Sequence, residues 1–429
     1  MTPRAAVPFK FSVVVASRGR PAWLKRCLLS LCQQDYPAYE VLVVAESETL
    51  AQIAQPAVKK VPYEEANLSA ARNRGVAAAA GEICAFIDDD AVAEPLWLYR
   101  LSEAFAVTSA DAVVGFVRGR NGISFQSRLA LVDAEAETHQ VATDREQPFV
   151  PTVPNGQAVK LVGTNMAIRR NVLRSVGGFD EIYRFYLEDS DLSRRLAQKG
   201  KRLAVAPLAE VHHGFAASPR RTRQRAPRDL FDIGRSTSYF LGRHFGSTDD
   251  EFWVRLERRE RKRLSRHLVA GTCEPRDMIR CLESLLTGWR DGLKATFKEP
   301  THNIAEPEAP FANLGDSRRS HEILSSYWFH KRRNLLRTAE KFTKADQQAT
   351  VLSFSLTTIR HHVSYADAGF WLQTGGLFGP SERDGPAFQW CRFADRVERE
   401  IRRVAKSRGI GECDTRKWWD TYAVERLDF

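Results

Sequence analysis

"CAFIDDDAV", from Cys84 to Val92, joins an apolar run directly to three aspartates. The run has the composition of the end of a buried strand, and no turn residue separates it from Asp88. Two carboxylates about 4 Å apart repel by roughly 4 kcal/mol at an effective dielectric near 20, so such a cluster needs a cation, hydrogen-bond donors or water. The stretch therefore predicts a buried strand that ends at a charged site.

The sequence around this stretch alternates strand-like and helix-like segments. "FSVVVAS" and "YEVLVVAES" are strand-like, while "PAWLKRCLLSLCQQ" has helical spacing with Pro21 suited to a first turn. "NLSAARNRGVAAAAG" predicts a helix that starts near Asn67 or Ser69 and stops at Gly81. This alternation indicates an α/β fold with a mostly parallel sheet covered by helices.

In such sheets ligands collect at the carboxyl ends of the strands. The residues that follow the predicted strands are Ser17 and Arg18, Glu46, and the three aspartates. A carboxylate pair in this position can hold Mg²⁺ or Mn²⁺ and leave coordination positions open for phosphate oxygens. The alternative is that the aspartates only cap the next helix, whose N-terminal end attracts acids.

Two further segments carry ionisable clusters. In "FYLEDSDLSRRL", Glu188, Asp189 and Asp191 crowd the start of a predicted helix that Gly200 ends. One of these acids has the setting of a general base, or all three complement the helix dipole while Asp191 pairs with Arg194 or Arg195. In "EVHHG", His212 or His213 could complete a metal shell made otherwise of oxygens, or be structural.

The composition changes after about residue 214. "SPRRTRQR" and "RLERRERKRL" are strongly basic, and the chain to about residue 300 has a helical pattern. We expect three parts: residues 1–215, a basic helical extension over 216–300, and an accessory region of unassigned fold over 301–429. The basic segments either bind an anionic membrane or glycan, which we favour for "SPRRTRQR", or pair their charges along a helix, which we favour for "RLERRERKRL".

The bulk properties limit the class of protein and its partners. The 429 residues carry 64 Lys and Arg against 53 Asp and Glu, a net charge of +11 that favours anionic partners. Seven scattered cysteines without a C-x-x-C pair indicate a reducing compartment. There is no secretory leader pattern and no run of 18 or more apolar residues, so we expect a cytoplasmic protein at the inner face of the membrane.

Taken together and in order, these segments resemble a family 2 glycosyltransferase with the GT-A fold. The resemblance covers roughly residues 9 to 245. It is carried by "FSVVVASRGRPAWLKRCLLSL", "NLSAARNRGVAAAAGEICAFIDDD", "GTNMAIRRNVLRSVGGFDE", "YLEDSDLSRRLAQKG" and "EVHHG".

The resemblance implies a role for each matching residue. Asp189 would be the catalytic base, and Asp90 with His212 or His213 would bind Mn²⁺ or Mg²⁺. The acceptor would be bordered by Glu188, Gly163 and Asn165, unless "GTNMAIRRNVLRSVGGFDE" serves packing alone. The nucleotide sugar would contact Ser17, Arg18, Glu46, Arg72, Asn73, Asp88 and Asp89.

One position departs from the family pattern. Many relatives have two aspartates after the second strand, the second of which holds the nucleotide base, whereas this chain has Ala45 and Glu46. Glu46 can still accept a hydrogen bond from uracil, thymine or guanine. The base of the donor therefore stays open.

The resemblance implies a metal-dependent inverting transferase that moves a sugar from a nucleotide donor to a glycan, lipid-linked or protein hydroxyl, in cell-surface polysaccharide synthesis. The alternative is a non-catalytic nucleotide- or carbohydrate-binding protein on the same scaffold. Nucleic-acid binding is disfavoured because the basic segments contain no recognisable binding motif. Peripheral contact with an anionic membrane is a further expectation from the charge.

Overall fold

The computed structural model describes residues 9–297, 300, 304, 307, 309–315 and 319–411. Cys413 and several stretches of the region predicted for 301–429 lie outside the described residues. The described chain forms one large sheet, two smaller sheets and a group of three long helices.

The first hundred described residues alternate strands and helices, as predicted. In chain order the elements are β1 (Phe11–Ala16), α1 (Pro21–Cys32), β2 (Tyr39–Ala45), α2 (Ser47–Ala51), β3 (Lys59–Pro62), α3 (Leu68–Ala78), β4 (Ile83–Asp88), β5 (Ala91–Ala93), α4 (Trp97–Thr108) and β6 (Ala112–Arg118). Pro21 occupies the first turn of α1, where its missing N–H leaves no helical hydrogen bond unmade. The Asn67 side chain accepts from the Ala70 N–H and caps α3.

The helix α3 ends earlier than the glycine that was expected to stop it. It closes at Ala78 because Ala79 is extended. Gly81 instead lies against the backbone of β1, where a Cβ would stand 2.7 Å from the Ser12 nitrogen. The glycine therefore permits a close approach of two backbone segments rather than a helix cap.

The next segment completes the large sheet. Its elements are β7 (Phe125–Ser127), β8 (Leu129–Val132), β9 (Thr138–Val141), β10 (Ala158–Val159), β11 (Met166–Arg169), α5 (Arg170–Ser175), α6 (Glu188–Gln198) and β12 (Leu203–His213). Strands β10, β8 and β9 form a small antiparallel sheet of their own.

The large sheet has the order β3-β2-β1-β4-β11-β6-β12-β5, with β7 beside β6. Strands β1, β2, β3 and β4 pair in parallel, and so do β6 and β12; because β11 is antiparallel to both β4 and β6, all six of these strands run in one direction. Alternate residues of β1 enter separate cores, Val13 and Val15 on one face and Val14 on the other. The predicted α/β class, a sheet flanked by helices, is confirmed.

Three long helices follow, as the sequence predicted for this part of the chain. They are α7 (Phe231–His244), α8 (Asp250–Val269) and α9 (Pro275–Leu293). Helix α7 packs on α9 closely, since a Cβ on Gly234 would lie 2.1 Å from the Leu285 carbonyl oxygen. Arg243 of α7 also forms an ion pair of 2.7 Å with Asp180, which fixes the helices to the large sheet's domain.

The sequence did not predict the fold of the last described part. It contains β13 (His321–Ser326), α10 (Arg332–Lys344), β14 (Gln348–Ser355), β15 (His362–Tyr365), β16 (Trp371–Gly376) and α11 (Phe393–Arg408). The strands form a sheet in the order β13-β14-β16-β15, in which only β15 is antiparallel. The chain is therefore helical from α7 to α9, within the extension expected over 216–300, while this part adds a second α/β unit. Across the described residues, we find no helix with the length and apolar character needed to span a membrane.

Candidate active site

The carboxyl ends of the six parallel strands bring the predicted site residues to one edge of the large sheet. Ala16 at the end of β1 is in register with Asp88 at the end of β4 and with Val44 of β2. His212 and His213 end β12 at the same edge. The topology thus places residues far apart in sequence within one site.

Asp88 is the most exposed of the three aspartates and faces the site. Its Oδ1 lies 3.3 Å from the Arg72 guanidinium, and its Oδ2 accepts a hydrogen bond of 2.5 Å from Thr164. One donor on each oxygen fixes the orientation of the carboxylate. A lone pair on each oxygen remains for a further partner.

Asp89 points into the fold. Its side chain is fully buried, accepts from Ser17 Oγ at 2.6 Å and lies 2.5 Å from the Arg20 guanidinium. Burial is the largest influence and raises the pKa of Asp89 to about 7, against the opposing charge of Arg20. Ser17 and Asp89, two of the seven residues expected to contact the nucleotide sugar, are therefore bonded to each other beneath the site.

Asp90 lies beside His213. Asp90 Oδ1 is 3.2 Å from His213 Nε2, and Oδ2 accepts from the Ala216 N–H at 2.7 Å. Burial alone would raise the pKa of Asp90, but the hydrogen bond and charge of His213, together with the charge of Arg20, hold it well below its ordinary value. The carboxylate is consequently in its anionic form.

Asp88, Asp90 and His213 form a cluster that fits a divalent cation. One ligand atom from each lies within 4.8 Å of the others. Two carboxylates and an imidazole are a donor set that suits Mn²⁺ and is acceptable to Mg²⁺, with positions left for oxygens of a ligand. His213 Nδ1 lies 2.9 Å from Gln126 Oε1, so it can donate there and leave Nε2 as the metal-facing nitrogen.

His212 belongs to a different cluster. Its Nε2 lies 2.7 Å from Glu94 Oε1, and Glu210 completes a second set of three metal-ligating side chains. Two buried arginines neutralise this set, because Arg118 makes two contacts with Glu210, at 2.6 and 3.0 Å, and Arg408 makes two with Glu94, at 2.9 and 3.0 Å. The geometry therefore assigns His213 to the Asp88 and Asp90 cluster and His212 to a buried ion network.

Helix α6 presents Asp189 to the same edge of the sheet. Asp189 Oδ2 accepts from the Gly163 N–H at 3.2 Å, and Oδ1 accepts from Ser190 at 3.2 Å. Tyr186 and Leu187, directly before α6, both have positive φ, at 73° and 68°. Such backbone is strained for non-glycine residues and clusters at functional sites.

We call Asp88, Asp90 and His213 the metal-facing cluster. Glu188 is connected to this cluster through Arg72, which contacts both Glu188 and Asp88. The Arg72 guanidinium donates to Glu188 at 2.9 Å and lies 3.3 Å from Asp88, so it bridges the two carboxylates. Burial, followed by the charge of Asp189, raises the pKa of Glu188, and Arg72 opposes both. Gly163 lets this arrangement form, since a Cβ there would lie 2.3 Å from the guanidinium.

Asp191 forms the ion pair along the helix that was the structural alternative for it, with Arg195 as the partner. It lies 2.7 Å from Arg195 one turn along α6 and 2.9 Å from His244 of α7. Burial would raise the pKa of Asp191, but the charges of Arg195 and His244 lower it to about 2. Asp191 thus anchors α7 rather than facing the site.

Two residues predicted to contact the donor or the acceptor, Asn73 and Asn165, form hydrogen bonds within the protein. Asn73 is buried and exchanges hydrogen bonds of 2.9 Å with the backbone of Phe179. Asn165 accepts from Trp97 and donates to two carbonyl groups, so its amide is fully used within the fold. Both side chains therefore hold segments that border the site, and direct ligand contact by either remains a prediction.

Glu46 and Arg18 lie together at the rim, at 3.5 Å from each other. Glu46 Oε2 also accepts from the Gly19 N–H at 3.3 Å, and Arg18 donates to the Glu64 carbonyl oxygen at 2.5 Å. Glu46 keeps acceptor capacity, so its contact with a base stays a prediction.

Three residues that matter at the site were not singled out from the sequence. Arg20 lies 2.5 Å from Asp89 and 3.4 Å from Asp90, and Thr164 bonds Asp88. Arg221, within "SPRRTRQR", feels the charge of Asp90, which raises its pKa against the larger lowering effect of burial. Two of these residues could have been identified from their positions in the sequence, because Arg20 closely follows β1 and Thr164 lies within the segment "GTNM".

The C-terminal sheet forms part of the wall of the site. A cleft of about 210 Å³ opens beside Asp90 and His213. It lies between Trp23, the loop residues Gly119, Arg120 and Gly122, and the strand β15 (His362–Tyr365). The Val363 N–H donates to the Asn121 carbonyl oxygen at 2.8 Å across this wall. The second α/β unit is therefore part of the site region.

Residues 12–177, which supply β1 through β11 and all three aspartates, match the family model described as "Glycosyl transferase family 2". These residues are a family 2 glycosyltransferase domain. The match and the mixed sheet flanked by helices agree with the GT-A type fold that the resemblance implied. Asp189 and His213 lie beyond the matched residues, on α6 and β12.

Several curated proteins are similar to part of this chain. "O-antigen biosynthesis protein RfbC" of Myxococcus xanthus is 27% identical over an alignment of 234 residues, and the match covers 49% of this chain and 18% of that protein. "Pre-mycofactocin glycosyltransferase" of Mycobacterium tuberculosis is 32% identical over 149 residues, 34% of this chain and 29% of that protein. The chain spans less than a third of the length of either relative.

A shorter match is closer in sequence. "N-acetylglucosaminyl-diphospho-decaprenol L-rhamnosyltransferase" of M. tuberculosis is 44% identical over 87 residues, 20% of this chain and 27% of that protein. Among solved structures, S. aureus TarS aligns over 60% of this chain and 43% of its own with a TM-score of 0.39 and 19% identity. GalNAc-T7 with UDP, GalNAc and Mn²⁺ aligns over 55% and 50% with a TM-score of 0.41 and 17% identity. At these scores the structural alignments carry no argument about the site.

Proposed function

We propose that this protein is a metal-dependent, inverting glycosyltransferase that moves a sugar from a nucleotide donor to an acceptor hydroxyl. The observation that carries the proposal is the cluster of Asp88, Asp90 and His213, whose ligand atoms lie within 4.8 Å of one another at the carboxyl edge of a family 2 domain. Asp189 stands at the same edge and is linked to the cluster through Arg72 and Glu188.

Asp88, Asp90 and His213 are the residues that would hold Mn²⁺ or Mg²⁺. A divalent cation bound there would supply positive charge for the donor diphosphate, which gains negative charge as its bond to the anomeric carbon breaks. Arg20 and Arg221 add fixed positive charge beside Asp90, where negative charge grows on the leaving group. Such preorganised charge lowers the barrier because it needs no rearrangement during the reaction.

Asp189 is the proposed general base. The Gly163 N–H and the Ser190 hydroxyl each bond one of its oxygens, which orients the carboxylate and leaves lone pairs for the acceptor hydroxyl. Asp189 takes the proton from that hydroxyl as it attacks the face of the sugar opposite the diphosphate. A single displacement of this kind inverts the anomeric configuration.

The acceptor is proposed to be a glycan, lipid-linked or protein hydroxyl, in the synthesis of a cell-surface polysaccharide. The support is similarity to proteins described as an O-antigen biosynthesis protein and as a rhamnosyltransferase named for a diphospho-decaprenol saccharide. We further propose that the enzyme works in the cytoplasm at the inner face of the membrane, because its net charge of +11 favours an anionic surface.

The test is a turnover screen of UDP-, GDP- and dTDP-sugars with Mn²⁺, with Mg²⁺ and with EDTA. We expect nucleotide release that requires the metal, is lost in Asp189→Asn and persists in Asp291→Asn, a matched substitution of a half-exposed acid paired with Arg235. Proton NMR of the product would give the inverted anomer. Release that is equally fast with EDTA, or that is unaffected by Asp189→Asn, would overturn the proposed mechanism.

A further inference from the structure

The C-terminal sheet has an apolar and basic edge that the proposed reaction does not use. Strands β13, β14 and β16 are parallel, so the segments that follow them lie at one edge. We call this edge the carboxyl-edge surface. Its apolar members are Trp328 after β13, Leu356 and Ile359 after β14, and Phe388 and Trp390 after β16.

The apolar side chains of this surface stand out into solvent. Leu356, Ile359 and Phe388 are more than half exposed and Trp390 is 74% exposed. Contiguous exposed apolar side chains of this size are uncommon on soluble proteins and mark interaction sites. The Phe378 N–H donates to the Thr357 carbonyl oxygen at 3.1 Å, so the loops after β14 and β16 lie side by side and their side chains form one surface.

The loops that carry these side chains are held in place. The Gly376 N–H donates to the Ile359 carbonyl oxygen at 2.8 Å, and the Gln389 N–H donates to that of Phe378 at 2.9 Å. The ring of Phe378 stacks on Trp390 with centroids 5.2 Å apart and an interplanar angle of 8°. The exposed rings are therefore presented by ordered backbone.

The same edge is basic. Arg360 donates to the Arg383 carbonyl oxygen at 3.2 Å. Within the described ranges, no carboxylate lies at ion-pair distance from either guanidinium, although Glu382 and Asp384 neighbour Arg383 in sequence. The two arginines border a cavity of about 440 Å³ that Asn121, His361 and Ser381 complete. Arg332 and Arg333 are exposed at the start of α10, which also begins at this edge.

We propose that the carboxyl-edge surface docks on an anionic lipid bilayer, with its apolar side chains at the acyl boundary and Arg360 and Arg383 on lipid phosphates. Tryptophan rings favour the bilayer interface, and arginines beside them are attracted to anionic headgroups. Leu356 and Ile359 favour a bilayer over a soluble glycan, because aliphatic side chains offer no flat face for a sugar ring but insert readily among acyl chains.

The carboxyl-edge surface lies close to the candidate active site. If the proposed transferase function is correct, docking there would position a lipid-linked acceptor. Asn121 of the arginine-bordered cavity lies between Arg120 and Gly122, which line the cleft beside Asp90 and His213. His361 of the cavity likewise precedes His362 of the cleft. The two spaces share a wall, so a docked bilayer would bring a lipid-linked acceptor to the metal-facing cluster.

The test is co-sedimentation of the full chain with vesicles of phosphatidylglycerol and phosphatidylcholine in equal parts, compared with vesicles of phosphatidylcholine alone. We expect salt-sensitive binding to the anionic vesicles only. Arg360→Gln with Arg383→Gln should weaken it about 30-fold, and Leu356→Ser with Ile359→Ser should weaken it at least tenfold. Val107→Ser and Val269→Ser, exposed apolar residues far from this edge in sequence, are the matched controls and should bind as the unaltered chain does.

Metal-dependent nucleotide-sugar binding is measured on the same variants. Vesicle binding that is absent, or equally reduced in the control variants, overturns the docking proposal while leaving donor binding intact. Salt-sensitive binding to polygalacturonate without vesicle binding overturns it in favour of an acidic glycan. If the unaltered chain does not bind a nucleotide sugar, the proposed transferase function is refuted instead, and the result with vesicles still stands.

Discussion

Replacing Arg408 with methionine should destabilise the whole protein, although Arg408 lies in the last described helix. Its side chain is 2% exposed and donates to both oxygens of Glu94, at 2.9 and 3.0 Å, and to Thr350 at 2.9 Å. Its guanidinium also lies 4.3 Å from the Trp371 ring centroid. Arg408 therefore joins the C-terminal sheet to β5 and β12 of the large sheet.

The magnitude follows from what the substitution leaves behind. Glu94 is fully buried and would keep only His212 as a partner, so the loss should be about 3 to 5 kcal/mol, as for other buried pairs cut on one side. Adding Glu94→Gln removes the uncompensated charge, and the double variant should recover a large part of the loss. Arg402→Met is the matched control: it is on the same helix, 75% exposed and paired with Glu398, and it should cost less than about 1 kcal/mol.

The assay is urea unfolding followed by tryptophan fluorescence. If the C-terminal unit and the large sheet unfold together, the midpoint of the single transition falls in Arg408→Met. A stability of Arg408→Met equal to that of Arg402→Met would refute the reasoning. The reasoning would also be refuted if the double variant lost more free energy of unfolding than the two single variants lose in total.

Three further substitutions test the site and the helix packing beside it. Asp189→Asn should lower turnover by about 10²- to 10⁴-fold, measured as nucleotide release, while calorimetric donor binding stays unchanged; weakened donor binding would contradict the role of base. Gly163→Ala must displace the buried Arg72 guanidinium, so it should weaken donor binding and destabilise the fold by about 1 to 3 kcal/mol. Gly156→Ala is the control: Gly156 has open space around it but a φ of 80°, so the substitution should cost stability through backbone strain and leave donor binding unchanged. The pKa of Asp191 is lowered to about 2 in the fold and is about 4 when unfolded, so its stabilisation is present above pH 4 and lost as the pH falls toward 2. The difference in urea midpoint between the unaltered chain and Asp191→Asn should therefore be present at pH 7 and shrink as the pH falls below 4; a difference that does not shrink between pH 4 and pH 2 would exclude this linkage.

Local sequence was enough to predict the alternation of strands and helices and the acids at the end of β4. Hydrophobic runs of strand length and a proline in a first helical turn determine these features locally. The position of Asp88 and Asp90 follows from their place after a strand, because the carboxyl ends of parallel strands meet at one edge.

Other features of the site depend on contacts that no local pattern reports. The choice between His212 and His213 is made by Glu94, Arg118 and Arg408, and Arg408 is separated from Glu94 by 314 residues. The sequence offered Asp191 a partner in Arg194 or Arg195, and the structure shows the pair with Arg195. Its contact with His244 of α7 could not be predicted, because the two residues are 53 positions apart.

The C-terminal sheet escaped prediction for a related reason. Strand β15 has four residues, and its burial alternates between exposed and buried positions beside a loop-rich segment. Short strands of this kind gain their stability from pairing with β16 and from packing on the rest of the chain, as Val363 does through Asn121. Their own sequence therefore carries little signal.

The central claim is that Asp88, Asp90 and His213 hold a metal that binds the donor diphosphate. The most direct measurement is isothermal titration of the nucleotide sugar that turns over, with Mn²⁺ and with EDTA, on the unaltered chain, Asp90→Asn and Asp291→Asn. We predict Mn²⁺-dependent binding that Asp90→Asn weakens by more than about 100-fold, since even outer-shell partners of a metal are worth about 10- to 100-fold, and that Asp291→Asn leaves intact. Donor binding of equal strength with EDTA, or unchanged in Asp90→Asn, would contradict the account.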